Sequence, residues 1–393
     1  MAAAPPPPTT GTCASCANSV PRPILTCFEC GEHGSSANTP AYCSTKCLSE
    51  DRDSHRGHCG QGNVLQSIYR AGDLLQSAFY LWRRLGFDVN VKDIRKSGEA
   101  LTLKEEISLV PHGQSILFDF PDHLVPEQND KHKLLTFLAC SDASAYMYEL
   151  VKKALQDTST TIEEVRLKVP SSEVHIKRYY AHNGDYDRVT CDHEVIAIDC
   201  HNGHSYVIDL AGAQYGQYQA VTPLEEYLRG KLGEIERVDQ HGYMAAVKKQ
   251  CILGSGPFSE PNPQTGGQCD TRILLTLREL YGVFNAAVNK WEERQSMSIS
   301  DLLNSKDIWW QRGKEQLLVG IERKMRAWID NWKAAGCPCI TLSLSEQELS
   351  AEEEQLLKPQ HAAMGDREDR STVYRNWVSQ KARNIPVGFS LEA

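Results

Sequence analysis

The chain has 393 residues, of which 41% are hydrophobic and 24% are charged, as is usual for globular proteins. This length is enough for two or three domains at about 150 residues each. The net charge of −9 argues against direct nucleic-acid binding, which requires a basic face. No apolar run approaches the roughly 20 residues that cross a bilayer, so no membrane partner is expected.

Residues 1–12 form a proline-rich tail that we expect to be disordered. The tail lacks the charged start and apolar run of a signal peptide. We therefore expect the cysteines to be reduced thiols in the cytoplasm or nucleus, because a disulfide framework would need an oxidising compartment.

Residues 13–59 carry eight metal-type ligands in four pairs. The pairs are Cys13-x2-Cys16, Cys27-x2-Cys30, Cys43-x3-Cys47 and His55-x3-Cys59. Zinc prefers thiolate and imidazole, and a structural zinc site takes four such ligands. Eight ligands therefore predict two structural Zn²⁺ ions, which supply the folding free energy that so short a segment lacks. His58 is the alternative to His55 as a ligand.

The spacing alone allows either consecutive or alternate pairs to share an ion. The pattern of two CxxC pairs, an aromatic residue (Tyr42) before Cys-x3-Cys, and His-x3-Cys resembles the MYND-type zinc finger family. That family interleaves its pairs and binds protein partners. The resemblance implies two ligand sets, namely Cys13, Cys16, Cys43 and Cys47 for one zinc and Cys27, Cys30, His55 and Cys59 for the other.

Residues 60–253 are predicted to form an α+β domain. Apolar residues at helical spacing predict a helix over 63–85, and Ser115–Phe120 is a short strand candidate. Leu134–Leu155 is predicted to be one helix or two abutting helices. Alternating polarity then predicts an antiparallel sheet of about four strands, at Glu163–Val169, Val174–Tyr180, His193–Asp199 and Ser205–Leu210. The turn before the last strand contains Asn202-Gly203, a strong hairpin signal.

Residues 254–268 are rich in Gly and Pro and are expected to be a linker or exposed loop, followed by a mainly helical region over 269–393. Its predicted helices are Ile273–Trp291, Gln316–Trp332, an acidic helix at Glu346–Leu356 and a basic helix at Ser371–Arg383. Four tryptophans are expected to anchor this region, namely Trp309, Trp310, Trp328 and Trp332. The predicted fold class is therefore α+β, with a small two-zinc finger, an antiparallel-sheet domain and a helical C-terminal part.

One stretch of the predicted sheet could carry catalysis. His193 opens one strand and Asp209 closes the next, so the two side chains can be neighbours. An Asp beside a His orients it as the base that activates a nucleophile. Gln214 could donate to an oxyanion. Residues 133–220 are similar to the transglutaminase-like and papain-like cysteine hydrolases, and this similarity implies Cys140 as nucleophile.

The position of Cys140 in the predicted helix is unresolved by the sequence. Ser141-Asp142 would cap a helix that begins just after Cys140, whereas a helix from near Lys131 would bury Cys140 in its middle. Neither arrangement favours an activated thiolate, which needs the first turn. Packing is the simpler role for Cys140, as it is for Cys191 and Cys200.

The sequence thus favours a zinc-dependent regulatory adaptor that binds protein partners through its finger, over an enzyme. The alternative is a cysteine hydrolase or acyltransferase of transglutaminase-like type, with the finger as targeting module. The enzyme hypothesis predicts that Cys140 Sγ lies within about 4 Å of a ring nitrogen of His193, which faces Asp209. A third hypothesis is a hydrolase-derived fold that has lost its chemistry.

Overall fold

The computed structural model describes residues 12–18, 25–26, 41–107, 110–111, 113–169, 175–179, 192–201, 203–230, 234–256, 271–343, 346–358 and 377; at 25–26, 41, 45, 48–49, 52–63 and 107 it describes the backbone alone. The chain divides into two compact units, Met1–Ser67 and Ile68–Ala393. Its mixed helices, antiparallel sheets and helical C-terminal part confirm the predicted α+β class.

The first unit contains a short antiparallel strand pair and the start of a helical segment. Strand β1 is Leu25–Thr26, β2 is Ala41–Tyr42 and helix α1 is Thr45–Glu50. Tyr42 is buried, and its hydroxyl donates to Asp51 Oδ2 at 2.9 Å. Helix α2, Arg52–Leu85, begins in this unit. It starts before the predicted first residue, 63, and ends at the predicted last residue, 85.

The main sheet of the second unit is antiparallel throughout, in the order β10-β5-β7-β8-β9. Its strands are β5 at Ser159–Lys168, β7 at Asp192–Cys200, β8 at Ser205–Ile208, β9 at Val221–Pro223 and β10 at Glu234–Gln240. Strand β7 is central and almost fully buried, which accounts for the apolar run 195–198 and means that its polar residues, such as His193 and Glu194, are buried as well.

A second sheet contains β3 at Asn90–Ser97, β4 at Ala100–Ile107 and β6 at Ile176–Tyr179. The strand predicted at Val174–Tyr180 therefore belongs here, parallel to β4, and not to the main sheet. The strand predicted at Ser115–Phe120 is wrong, since Ile116 and Leu117 are buried in an irregular segment.

Helices surround the sheets in the middle of the chain. They are α3 at Gln128–Thr136, α4 at Cys140–Tyr146, α5 at Tyr148–Leu155, α6 at Leu224–Arg229 and α7 at Tyr243–Ile252. The predicted Leu134–Leu155 stretch is thus parts of three helices, with breaks at 137–139 and at Met147.

The C-terminal helices are α8 at Thr271–Gln295, α9 at Ile299–Leu303, α10 at Asp307–Ala334 and α11 at Ala351–Leu356. Trp310 and Trp332 are buried as expected, but Trp309 is 57% exposed and does not anchor the core. The predicted linker lies outside the described residues from 257 onward, as does the basic helix except Trp377. Within the described ranges, no helix has the length and apolarity that a membrane crossing requires.

Candidate functional site

Four cysteines of the first unit converge on one point. Their Sγ atoms all lie within 4.8 Å of one another, and the four are Cys13, Cys16, Cys43 and Cys47. Cys43 Sγ lies 3.5 Å from Cys16 Sγ and from Cys47 Sγ, too far for a disulfide. Tetrahedral ligands with metal–sulfur bonds of about 2.3 Å lie about 3.8 Å apart, so the cluster fits one metal ion.

The local backbone brings each pair of thiols together. In the first pair, the Ala17 N–H donates to Cys13 O at 2.9 Å and the Cys13 N–H donates to Asn18 O at 2.7 Å. Ala17 adopts a left-handed φ of 59°, which turns the chain sharply after Cys16. The two thiols therefore lie on a single tight turn.

The second pair spans the start of helix α1. Cys43 precedes the helix by two residues and Cys47 is its third residue, so the pair does not lie within one helical turn. The Cys47 N–H donates to Ser44 Oγ at 3.2 Å, which fixes the entry to the helix.

The surroundings shift the pKa values of Cys13 and Cys43 in opposite directions. Burial raises the pKa of Cys13, but backbone hydrogen bonds from Cys16, Cys43 and Ser15 outweigh it and lower the pKa to about 6. Hydrogen bonds from the side chains of Cys16 and Cys47 raise the pKa of Cys43 to about 12. A bound cation would replace these shared protons, because metal ligation requires thiolates.

The cluster joins the first and third sequence pairs, which is the alternate arrangement. The other predicted ligands cannot be placed, since Cys27 and Cys30 lie outside the described residues, as do the side chains of His55 and Cys59. The second ligand set therefore stays a prediction.

A buried His–Asp pair lies in the second unit. His193 is the second residue of β7, and Asp209 directly follows β8. His193 Nε2 lies 2.8 Å from Asp209 Oδ2, and both side chains are buried. Because the ring and the carboxylate are out of water, this contact fixes the orientation of the imidazole.

Asp209 is held by further contacts that the sequence did not indicate. The Ala211 N–H donates to Oδ1 at 3.1 Å, and the Tyr227 hydroxyl donates to Oδ2 at 2.9 Å. A Cβ added at Gly212 would lie 2.6 Å from Oδ2, so the turn tolerates only glycine there. The run Asp-Leu-Ala-Gly was the available signal for a tight turn, but nothing in the sequence linked Tyr227 to it.

Cys140 is the first residue of helix α4, which corrects both predicted arrangements. Helix α3 ends at Thr136, and the backbone turns at Leu138 and Ala139 before α4 begins. The N–H groups at the start of a helix are the setting that catalytic cysteines use. No side chain caps the helix at Ala139, so these N–H groups are not masked by one.

The Cys140 thiol lies beside the His193 ring. Its Sγ donates to the carbonyl oxygen of Asp192, the residue before His193, at 3.5 Å, and the thiol is near enough to contribute, after burial and Asp209, to the shifted pKa of His193. No described residue makes a well-aligned hydrogen bond to His193 Nδ1, the nitrogen that does not face Asp209. Catalytic hydrogen bonds are often loose before substrate binds. Cys140 is 8% exposed and His193 is not exposed at all, so both residues of the pair are buried.

The surroundings favour the protonated imidazole. Burial lowers the pKa of His193, but the charge and hydrogen bond of Asp209, together with Cys140, raise it to about 10. The Tyr215 ring meets the imidazole edge-on, with ring centroids 4.8 Å apart, and closes one side of the site. Such a ring can store the proton that a thiol gives up.

Gln214 connects the two halves of this site. Its Oε1 accepts from the Leu138 N–H at 3.1 Å, and its Nε2 donates to Ala211 O at 3.1 Å. Leu138, two residues before Cys140, has a left-handed φ of 54° that needs such support. Gln214 therefore bridges the Asp209 turn and the Cys140 turn, and its amide is not directed at an oxyanion as the sequence suggested.

The other candidate side chains are not part of this site. Burial and, secondarily, Asp199 raise the pKa of Cys200 to about 12, which leaves it an inert thiol. His201 and His204 are exposed, as expected for residues that border a turn. Cys191 lies outside the described residues.

No family model, no curated protein and no solved structure matches the chain. The MYND-type and hydrolase-like resemblances therefore have no support from a family match. Functional assignment depends on the two constellations described above.

Proposed function

We propose that the chain is a cysteine-dependent acyl-transfer enzyme, a hydrolase or acyltransferase, with Cys140 as nucleophile, His193 as base and Asp209 as the orienting carboxylate. One observation carries the proposal. A thiol at the first residue of a helix contacts the backbone of the residue before a buried imidazole, and Nε2 of that imidazole is 2.8 Å from a buried carboxylate. This is the arrangement of roles that activates a cysteine nucleophile.

The proposed proton transfers follow from these roles. With Nε2–H donated to Asp209, Nδ1 is the ring nitrogen left to take the proton of the Cys140 thiol when substrate binds. The sulfur then bonds to the acyl carbon, and the leaving group departs with the proton from Nδ1. In the second half, water or an amine gives a proton to Nδ1 and attacks the thioester, which releases the acyl product and restores the thiol.

Acyl transfer to the protein itself is the test, with p-nitrophenyl acetate as probe and peptide mass spectrometry as readout. We expect acetylation at Cys140 in the wild type, none at this position in Cys140→Ser, and much less in His193→Gln. The buried thiols Cys200 and Cys251 serve as internal controls. Acetylation spread evenly over all cysteines, or unaffected by His193→Gln, would contradict the proposal.

We further propose that the first unit is a zinc-bound, MYND-type module that directs the enzyme to protein partners. The support is the cluster of four thiols, with Sγ atoms within 4.8 Å of one another. A metal held by four protein ligands has no open position, so its role is structural and the thiol chemistry belongs to Cys140. By the same pattern, a second zinc would be held by Cys27, Cys30, His55 and Cys59.

The regulatory adaptor is the second candidate function, and the same cysteine cluster favours it. Under this proposal the module binds partners and the second unit has no chemistry. Affinity capture with Cys13→Ser and with Cys140→Ser separates the two. Partners lost only in Cys13→Ser, together with no acetylation at Cys140 in the wild type, would favour the adaptor.

A further inference from the structure

Helix α11 lies over a groove formed by helices α5, α7 and α8. A cavity of about 450 Å³ remains beneath it. Such a volume is in the range of small binding sites. Part of the cavity wall is aromatic or apolar and is formed by Tyr148, Tyr281 and Ile252. The cavity would therefore accept a larger apolar side chain than any that now enters it.

The groove and the segment that covers it have opposite charge. The side of the cavity formed by α5, α7 and α8 presents four cations, Lys152, Lys248, Lys249 and Arg278, and one carboxylate, Glu149. Residues 346–358, which include α11, contain five glutamates and one lysine. We call the first surface the basic groove and residues 346–358 the acidic strap.

The acidic strap is attached chiefly by charge. Glu353 Oε2 lies 2.6 Å from Lys249 Nζ, and Glu346 forms an ion pair with Arg278. None of the six residues of α11, all of them described, is buried. Leu356 of the strap packs next to Gly242, the residue before α7. The side chain is so close that a Cβ added at Gly242 would lie 3.2 Å from Leu356 Cδ1. So short a helix is not stable alone, and its attachment depends on these two partly buried ion pairs and on Leu356.

The basic groove also has a cation that the strap leaves unused. Lys152 Nζ donates to the Tyr148 hydroxyl at 3.4 Å and lies 5.0 Å from the centre of that ring. Among the described residues it has no ion-pair partner. Lys248, by contrast, is paired with Asp142 at 2.7 Å. The acidic strap thus pairs with only some of the cations of the basic groove, and its side chains do not fill the cavity.

We propose that the basic groove is a docking site for an acidic amphipathic helix of a protein partner, and that the acidic strap is the chain's own occupant of this site. The partner helix would place carboxylates against Lys249, Arg278 and Lys152 and a large apolar side chain in the cavity. This interaction is independent of the acyl-transfer chemistry, since neither Cys140 nor His193 lines the groove.

Peptide binding to the full chain tests the proposal. The double variant Glu346→Gln/Glu353→Gln should release the acidic strap. It keeps the capping box of α11, because Gln can replace Glu at residue 353, the third position of the helix. A labelled peptide of sequence 346–358 should bind this variant about tenfold tighter than it binds the wild type, as expected when a competing segment is removed. A peptide with Leu356→Trp should bind more tightly still by filling the cavity. Glu348→Gln with Glu354→Gln, which alters no described ion pair, is the matched control.

Reversing the charge of the basic groove is the second part of the test. Adding Lys249→Glu and Arg278→Glu to the released variant should abolish peptide binding. Amide exchange over 351–356 should rise in the released variant and not in the control. Unchanged exchange, equal peptide affinity in all variants, or binding that survives the reversal would overturn the proposal. Dimerisation of the released variant without peptide would assign the groove to a second copy and would also overturn it.

Discussion

The carboxylate of Asp209 lies 2.8 Å from Nε2 of His193, and both groups are shielded from water. A buried carboxylate is costly unless other donors satisfy it. The Ala211 N–H and the Tyr227 hydroxyl supply those donors. Both oxygens of Asp209 thus accept hydrogen bonds, whereas no described residue forms a hydrogen bond with His193 Nδ1.

Asp209→Asn is predicted to flatten the pH dependence of stability. The folded pKa of His193 is raised from 6.5 to about 10, chiefly by Asp209 against the effect of burial. The resulting stabilisation is complete below the unfolded pKa and is lost as the pH rises through the folded pKa. Urea unfolding of the wild type should therefore show falling stability across this window, and Asp209→Asn should show less. Asp199→Asn, which alters another buried carboxylate that bonds to Ser205 and Thr161, should retain the wild-type slope.

Gln214→Leu is predicted to destabilise the fold and to slow alkylation of Cys140. The substitution leaves the Leu138 N–H without its acceptor, at a cost of about 1–3 kcal/mol, and removes one of the two hydrogen bonds to Ala211 O, since the Gln214 backbone N–H still donates to that oxygen. Gln214→Glu keeps the acceptor for Leu138 and should retain more of the alkylation rate. Equal rates in both variants, measured under conditions where both are folded, would show that the bridge does not position Cys140.

The sequence predicted this site only in part, for identifiable reasons. His193 and Asp209 were found because antiparallel strands place such residues side by side. The position of Cys140 was missed because Leu138, a non-glycine residue, adopts the left-handed conformation that ends one helical segment before the next begins. Tyr227 was missed because its contact with Asp209 depends on tertiary packing.

The fold was predictable where the periodicity was strong. Strands β5, β7 and β8 lie close to their predicted positions, since their residues alternate or are continuously apolar. Strands β3 and β4 were not predicted, because the half-exposed β3 carries charged residues on both faces. The parallel pairing of β6 with β4 joins distant parts of the chain, which local patterns do not encode.

Glu194→Gln is predicted to stabilise the protein at neutral and alkaline pH. Burial raises the pKa of Glu194 from 4.5 to about 7, although Arg237 and Arg166 oppose the shift. No described residue pairs with its Oε2. A carboxyl with a raised folded pKa loses stability as the pH rises from the unfolded to the folded value. Melting temperatures should therefore diverge in favour of the variant as the pH rises from about 4.5 to about 7 and keep that difference at higher pH, while the exposed Glu225→Gln control follows the wild type.

Metal content is predicted to follow the cysteine cluster. Elemental analysis of the reduced protein should find two zinc ions per chain if all eight proposed ligands form two tetrahedral sites. Cys13→Ser with Cys43→Ser should lose one ion and destabilise the first unit, because metal binding supplies its folding free energy. Cys200→Ser is the matched control and should retain both ions. A zinc-free wild type would refute the metal assignment.

The alkylation rate of Cys140 tests the central claim most directly, namely that His193 activates this thiol. An ordinary cysteine is protonated and reacts slowly at about pH 6. With iodoacetamide at that pH and mass-spectrometric readout, Cys140 of the wild type should react at least tenfold faster than Cys140 of His193→Gln, a difference of about 1.4 kcal/mol in barrier. Equal rates in the two folded proteins would contradict the account.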